Sequence, residues 1–447
     1  MKTTDFAFET PAHLVAQEPT AERDASRLLV FHAAANAVED AMFSQLPAIV
    51  ARLRELSGAQ RVVFVANDTR VYPARVRVRR ATGARGEVFL LRPRGEGPWE
   101  CLLRPQKKLK DGEDLHADGE GGPGTALLRV VSVDPPRVEI ASEFLEANFA
   151  SSTRAAADTG PRSEAALAAL LAAQGEMPLP PYIERDRERD GARDAHARLD
   201  LQRYQTVYAG GDAASAAAPT AGLHFTPGVM EACREAGADF TFVTLHVGLG
   251  TFAPVQTDDI EDHPMHEERA CVPAELASRL RAELEYRAQL SRREPGPVST
   301  NGAAGEPTGL SPRELFVCVG TTALRTVESF LRVDEGGQED LAGRWFSTRL
   351  FLHPGADGVR IRPRLCDALL TNFHQPESTL AMLVAALVGV DAWRSLYAHA
   401  IAAEYRFFSY GDANLLLLDD TLGSGRTLVG AMPAHLGAAS TRPEAAQ

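Results

Sequence analysis

The chain has 447 residues, a formal net charge of −13 at pH 7, and 45% hydrophobic and 24% charged residues. That length exceeds one ordinary core and points to two domains with insertions, and the acidity excludes a protein that coats nucleic acid by bulk attraction. There is no eighteen-residue apolar run, no signal-like apolar start, and no paired spacing among Cys101, Cys233, Cys271, Cys318 and Cys366, so a cytoplasmic protein with reduced thiols and no membrane contact is expected. Along the chain, Leu28 to Phe31 reads as a strand, Phe43 to Leu56 as a helix, and Arg61 to Val65 as a buried strand. A polar turn, Asn67-Asp68-Thr69-Arg70, follows.

The pattern then changes. Arg75-Val76-Arg77-Val78-Arg79 alternates with period two, as a strand with an arginine face would. Short apolar runs at Glu87–Leu91, Trp99–Arg104, Ala126–Val133 and Arg137–Ile140, punctuated by Gly and Pro, predict a small antiparallel β-barrel inserted at 71–144. Residues 61–110 hold thirteen Arg and Lys against four Asp and Glu, whereas the rest of the chain carries −22. Arg104 and the Lys107, Lys108, Lys110 run join Arg75 and Arg77 in one basic region suited to local phosphate contact.

Residues 147–176 are Ala-rich and helical. After 200 the pattern is α/β, with strands at Asp239–His246, Leu315–Val319, Ala368–Thr371 and Leu415–Leu418, and helices at Ala323–Leu331 and Thr379–Val388. The fold class is therefore α/β, a mixed sheet with flanking helices, built from residues 1–70 and 145–420. Residues 291–312 are rich in Gly, Pro and Ser and read as a flexible insertion, and 421–447 as a disordered tail.

Chemistry concentrates in a few polar, Gly-rich segments. Tyr204-Gln205-Thr206-Val207-Tyr208 precedes Pro219-Thr220-Ala221-Gly222-Leu223-His224. Then comes His246-Val247-Gly248-Leu249-Gly250-Thr251. Gly320-Thr321-Thr322 opens a helix after a strand. It suits a carboxylate or phosphate, or is an ordinary threonine cap. Asn372-Phe373-His374 ends another strand, where open α/β sheets bind ligands. Tyr405, Arg406 and Tyr410 could stack a base, while Phe407 and Phe408 read as core. Arg325 and Glu328, three apart, read as a simple surface pair. His263, His266 and Cys271 lack a second ligand pair at matched spacing, so no metal is expected.

These segments, with Arg23–Leu29, Asn67–Val71, Arg104–Lys110 and Met177–Ile183, resemble the S-adenosylmethionine:tRNA ribosyltransferase-isomerase family of queuosine biosynthesis. The motifs occur in order from about residue 5 to 418. The resemblance implies a mixed α/β domain carrying a β-barrel. It implies transfer of the ribosyl part of S-adenosylmethionine, a co-substrate, to 7-aminomethyl-7-deazaguanine at the tRNA wobble position. Epoxyqueuosine, adenine and methionine would be the products, with no permanently bound cofactor, and a monomer is expected.

On that resemblance His224, His246 and His374 are the candidates for proton transfer. Asn67, Asp68, Arg70, Tyr204, Gln205, Thr220, Gly222, Gly248, Gly250, Thr251, Gly320, Thr321, Thr322, Asn372, Tyr405, Arg406 and Tyr410 are the substrate-binding set. His224 and His246 are expected to share one pocket. Gln375, Glu377 and Asn414 depart from the residues usual in the family. A methyltransferase acting on tRNA and a non-catalytic RNA-binding protein are the rival readings.

Overall fold

The computed structural model describes residues 1–91, 95–119, 122–149, 160–185, 190–210, 213–248, 255–292, 314–335, 340–355 and 358–418. Most of 291–312 and all of 421–447 lie outside the described residues. The chain opens with strands β1 (Arg27–His32) and β2 (Ala37–Met42), helix α1 (Leu46–Ser57), β3 (Arg61–Asn67) and the two-residue β4 (Arg70–Val71). Next are β5 (Arg75–Arg80), β6 (Arg85–Leu90), β7 (Trp99–Arg104), β8 (Asp114–Gly119), β9 (Gly122–Val133) and β10 (Pro136–Ile140). Helices α2 (Ser142–Phe149) and α3 (Glu164–Gln174), β11 (Gly175–Glu176), α4 (Asp190–Arg203), β12 (Ala213–Ser215) and α5 (Pro227–Glu235) follow. The last part holds β13 (Ala238–His246), β14 (Glu268–Cys271), α6 (Ala274–Ser291), β15 (Glu314–Val319), α7 (Thr321–Glu335) and β16 (Trp345–Thr348). It ends with β17 (Ala368–Asn372), α8 (Thr379–Val388), α9 (Val390–Ala402) and β18 (Ala413–Leu417).

Nine strands form the large sheet, in the order β16-β14-β13-β3-β15-β17-β18-β1-β2. Strands β13, β3, β15 and β17 are parallel. Their C-terminal ends therefore share one edge, and β18, antiparallel to β17, starts there. Central strands such as Val62-Val63-Phe64-Val65-Ala66 are apolar at every position because both faces are covered. Val63, Val65, Phe316 and Leu369 pack with α6, α7 and α8 on one face. Val62, Phe64, Leu315 and Leu370 pack with α1 and α5 on the other. Each fully buried Val, Leu or Phe contributes about 1.5–3 kcal/mol relative to exposure.

The second sheet closes on itself. Its strands run β5-β6-β7-β10-β9-β8, and β8 pairs back onto β5 to complete a six-stranded antiparallel barrel. Alternate residues Val76, Val78, Val88, Leu103, Leu115, Leu128, Val130 and Val138 fill it. Phe144 of α2 and Leu167, Leu170 and Leu171 of α3 extend the same core, and β11 pairs with the start of β5. The barrel's packing thus continues beyond residue 144, because these Ala- and Leu-rich helices bury their apolar side against it.

The expected arginine face needs correction. Arg77 is bound to Glu176 at 2.6 Å, Arg80 to Glu113 at 2.6 Å, Arg79 to Asp118, and Arg75 lies 3.8 Å from Glu87. Three of these acids, Glu113, Asp118 and Glu176, lie outside residues 61–110, so a charge count over that window cannot see them. Arg104 is 74% exposed and 3.5 Å from Glu87. Lys107, Lys108 and Lys110 are exposed and form no ion pair among the described residues. Arg325 and Glu328 are not a surface pair either: they are 4% and 1% exposed.

Candidate active site

Polar residues from four motifs meet where the parallel strands end. A cleft of about 670 Å³, counting its open mouth, is lined by Ala217 to Ala221, Val247, Gly320 to Thr322, Thr371 to Gln375, Ser378, Tyr182, Phe408 and Ser409. This is the position at which an open α/β sheet forms a crevice, because β13 and β15 leave β3 on opposite sides. Gly320 makes the turn from β15 into α7 at φ +85°, and its N–H donates to the Leu370 carbonyl. The first turn of α7, with Thr321 and Thr322, thereby directs free N–H groups and the positive dipole end at the cleft.

Asn372 is buried there and held through both ends of its amide. The Thr220 hydroxyl donates to its Oδ1 at 2.9 Å, which leaves its Nδ2 to donate to His224 Nε2 at 3.2 Å. His224 Nδ1 must then carry the proton it shares with Ser26 Oγ at 2.8 Å. Its ring also stacks on Phe43 at 5.2 Å. Burial, with the nearby Arg406 and Arg23, pushes its pKa down to about 3. His224 is therefore a neutral pin behind Asn372, with both ring nitrogens engaged and no place among the residues lining the cleft.

His374 does line the cleft. Its Nε2 lies 3.0 Å from Thr371 Oγ1, its backbone N–H donates to the Tyr397 hydroxyl, and burial lowers its pKa to about 3. His246 ends β13, three strands from β17, or roughly 14 Å at ordinary strand spacing. Its Nδ1 is 3.1 Å from Thr69 Oγ1 and its ring stacks on Trp345 at 4.8 Å. The described geometry gives His224 and His246 separate surroundings rather than one pocket.

The remaining candidates divide. Thr220, Gly320, Thr321, Thr322 and Asn372 line the cleft. Gly222 lies beside it in the 3-10 turn Thr220–His224, where a Cβ would collide with the Tyr208 hydroxyl. Asn67 is fully buried and clasps Leu245 through N–H and C=O at 3.0 Å each, so it joins β3 to β13. Gln205 pairs in the same way with the Val71 backbone, at 3.1 and 3.2 Å. Burial raises the Asp68 carboxyl, which accepts from the Thr244 hydroxyl at 2.7 Å. Arg70 is exposed.

Tyr204 is wholly buried, edge-on to Tyr410, whose hydroxyl donates to Asp200. Tyr405 is buried under Arg27 and donates to Asp40, while Arg406 engages Asp412. These four are tied into the fold and do not reach the cleft. From the same segment Phe408, read as plain core, and Ser409 do reach it, Phe408 because φ +71° turns the chain at that point. Gly250 and Thr251 lie outside the described residues.

Sequence reasoning missed Glu268. Its carboxylate takes Arg325, His266 Nε2 at 3.2 Å and the Gly248 N–H at 3.2 Å. Burial acts to raise this carboxyl, but His266, Arg325 and the Gly248 N–H hold it below the usual range. It braces the start of the loop after β13 from beneath. The only signal was an acid following the two histidines at 263 and 266. Those histidines and Cys271 do not gather, and no group of three metal-ligating side chains occurs among the described residues.

A profile described as queuosine biosynthesis protein matches residues 3–290 and 311–416. The chain belongs to the queuosine biosynthesis protein family. Relatives in it are named S-adenosylmethionine:tRNA ribosyltransferase-isomerase. The one from Thermotoga maritima is 36% identical over 425 residues, covering 93% of this chain and all of the relative. The one from Ruegeria pomeroyi is 39% identical over 424 residues, covering 93% and 99%. A crystal structure of the S-adenosylmethionine tRNA ribosyltransferase from Thermotoga maritima aligns over 92% of this chain and all of the other, with 27% identity and a TM-score of 0.42. The residues matched by the profile include the strand-end segments that line the cleft.

Proposed function

We propose that this protein is an S-adenosylmethionine:tRNA ribosyltransferase-isomerase of queuosine biosynthesis. It transfers the ribosyl part of S-adenosylmethionine to the aminomethyl group of 7-aminomethyl-7-deazaguanine at the tRNA wobble position. Epoxyqueuosine in tRNA, adenine and methionine are the products. Family membership over nearly the whole chain carries this reading.

The cleft has the chemistry that S-adenosylmethionine needs. The N-terminal turn of α7 suits the methionine carboxylate. The apolar wall of Ala217, Ala218, Phe373 and Phe408 suits an adenine face and excludes water, which epoxide closure requires. Thr220 and Asn372, which line the cleft, would hold ribose hydroxyls. An imidazole held near 3 is a weak base, so His374 is read as a neutral hydrogen-bonding group at the ribose. Exposed Arg104, Lys107, Lys108 and Lys110 on the barrel supply phosphate contacts, whereas Arg75 and Arg77 hold the barrel together. No metal takes part in this scheme, and the protein acts as a monomer in the cytoplasm.

The test is product analysis. Incubation with S-adenosylmethionine and a tRNA carrying the deazaguanine should release adenine and methionine in step with loss of acceptor. S-adenosylhomocysteine as the only cofactor product would make it a methyltransferase instead. Activity lost on EDTA dialysis and restored by a stoichiometric metal would overturn the metal-free scheme.

A further inference from the structure

Trp345 stands apart from the other aromatic residues of the fold. It is 45% exposed, whereas the chain's other tryptophans, Trp99 and Trp393, are 2% and 1% exposed. It sits on β16, the edge strand of the large sheet. The register β13–β14–β16 puts His246 opposite Arg269, and Thr244 opposite Cys271 and Trp345. Alternation then places Thr244, His246, Arg269, Cys271 and Trp345 on one face. The indole leans across β14 to stack on His246 at 4.8 Å and 25°. The Arg269 guanidinium lies 5.3 Å from the indole centroid. Thr69 orients the imidazole.

An indole left half in water gives up much of the burial that would stabilise the fold, so the fold itself gains little from this placement. Arg269 is exposed and forms no ion pair among the described residues. Of the two acids that precede it, Glu268 on its own strand is taken by Arg325 and His266, and Glu267, just before the strand, by Ser347 at 2.9 Å and Arg349 at 3.0 Å. The result is a half-exposed indole, backed by an imidazole, with an exposed cation against it. A nucleobase with its 5′ or 3′ phosphate is the ligand that uses both.

Position selects the nucleotide. One residue beyond His246, Val247 lines the catalytic cleft. The platform and the cleft therefore straddle the end of β13, one on each side. A base entering the cleft must leave its stack, which leaves the neighbouring base without its stacking partner and open to another aromatic surface. We propose that Trp345, braced by His246 and with Arg269 beside it, stacks an unpaired anticodon-loop base adjacent to the nucleotide being modified. This rests on the tRNA reading above.

The wild-type protein supplies its own probe, since Trp345 is its one solvent-exposed tryptophan. An RNA anticodon stem-loop would be titrated while indole emission and acrylamide quenching are followed, with binding read separately from the anisotropy of a labelled stem-loop. The stem-loop should change the emission and shield Trp345 from acrylamide. S-adenosylmethionine alone should do neither. Trp345→Ala should weaken stem-loop binding about 10-fold, the size of one lost base–aromatic stack, and Trp345→Phe should recover most of it.

Bound RNA that leaves the emission and the acrylamide access of Trp345 unchanged would overturn the inference while leaving the tRNA reading intact. So would a response to S-adenosylmethionine alone, which would assign the platform to adenine. So would a shielded Trp345 in RNA-free protein that sediments as a dimer. Failure of the stem-loop and of full-length tRNA to bind at all would defeat both readings.

Discussion

At the scale of single residues, hydrogen-bond accounting separates working groups from structural ones. His224 looks catalytic in sequence because it follows Thr220 and Gly222, yet each of its nitrogens has a fixed partner. His224→Ala should lower folding stability by about 2 kcal/mol, because Ser26 and Asn372 lose a buried partner. Urea unfolding would measure it. An unchanged midpoint together with lost turnover would restore a chemical role. Asn414 presents the opposite case. It is 0% exposed, faces Thr371 across the β17–β18 ladder, and neither amide atom has a partner among the described residues. Asn414→Leu should therefore raise stability by about 1–2 kcal/mol. A loss instead would mean that the amide holds a buried water. Nothing in the local sequence announces either behaviour, since both depend on atoms supplied by distant segments.

Among the elements, the barrel strands show how a local charge count misleads. β5 carries Arg75, Arg77, Arg79 and Arg80, and all four face carboxylates. The turn Gln106–Lys108 and the following Lys110 carry exposed cations instead. Changing Lys107, Lys108 and Lys110 together to Ala should flatten the salt dependence of tRNA binding by about one unit of slope per lost phosphate contact. The same triple change should leave S-adenosylmethionine affinity as it was, because the cleft belongs to the other sheet. An unaltered slope in a binding series from low to moderate salt would make this run mere solvated surface. The period-two patterns of β5 and β7 and the apolar runs of β3 and β15 were readable, since each follows from its own residues. β14 and β16 were not read, because they are four residues each and gain their strand character only by pairing at the sheet edge.

For the whole molecule, burial of neutral imidazoles links stability to pH. His224 and His374 are held near 3, against about 6.5 when unfolded. Above pH 6.5 neither state binds the proton and the full stability is present. As pH falls from 6.5 toward 3 only the unfolded chain takes it up, so stability is lost by roughly 1.4 kcal/mol per pH unit for each histidine. Unfolding free energies at pH 7, 6 and 5 should show this decline, and His374→Gln should make it shallower by one histidine's share. Equal slopes in the two proteins would show that His374 titrates normally. By itself the sequence determined the two kinds of sheet, the order of the motifs and the family, because periodicity and local composition are properties of contiguous residues. Only the tertiary structure decided which motif residues meet. Cleft, clasp and platform are built from strand ends that lie far apart in the chain, and whether a histidine or arginine is free there depends on partners brought in by the fold.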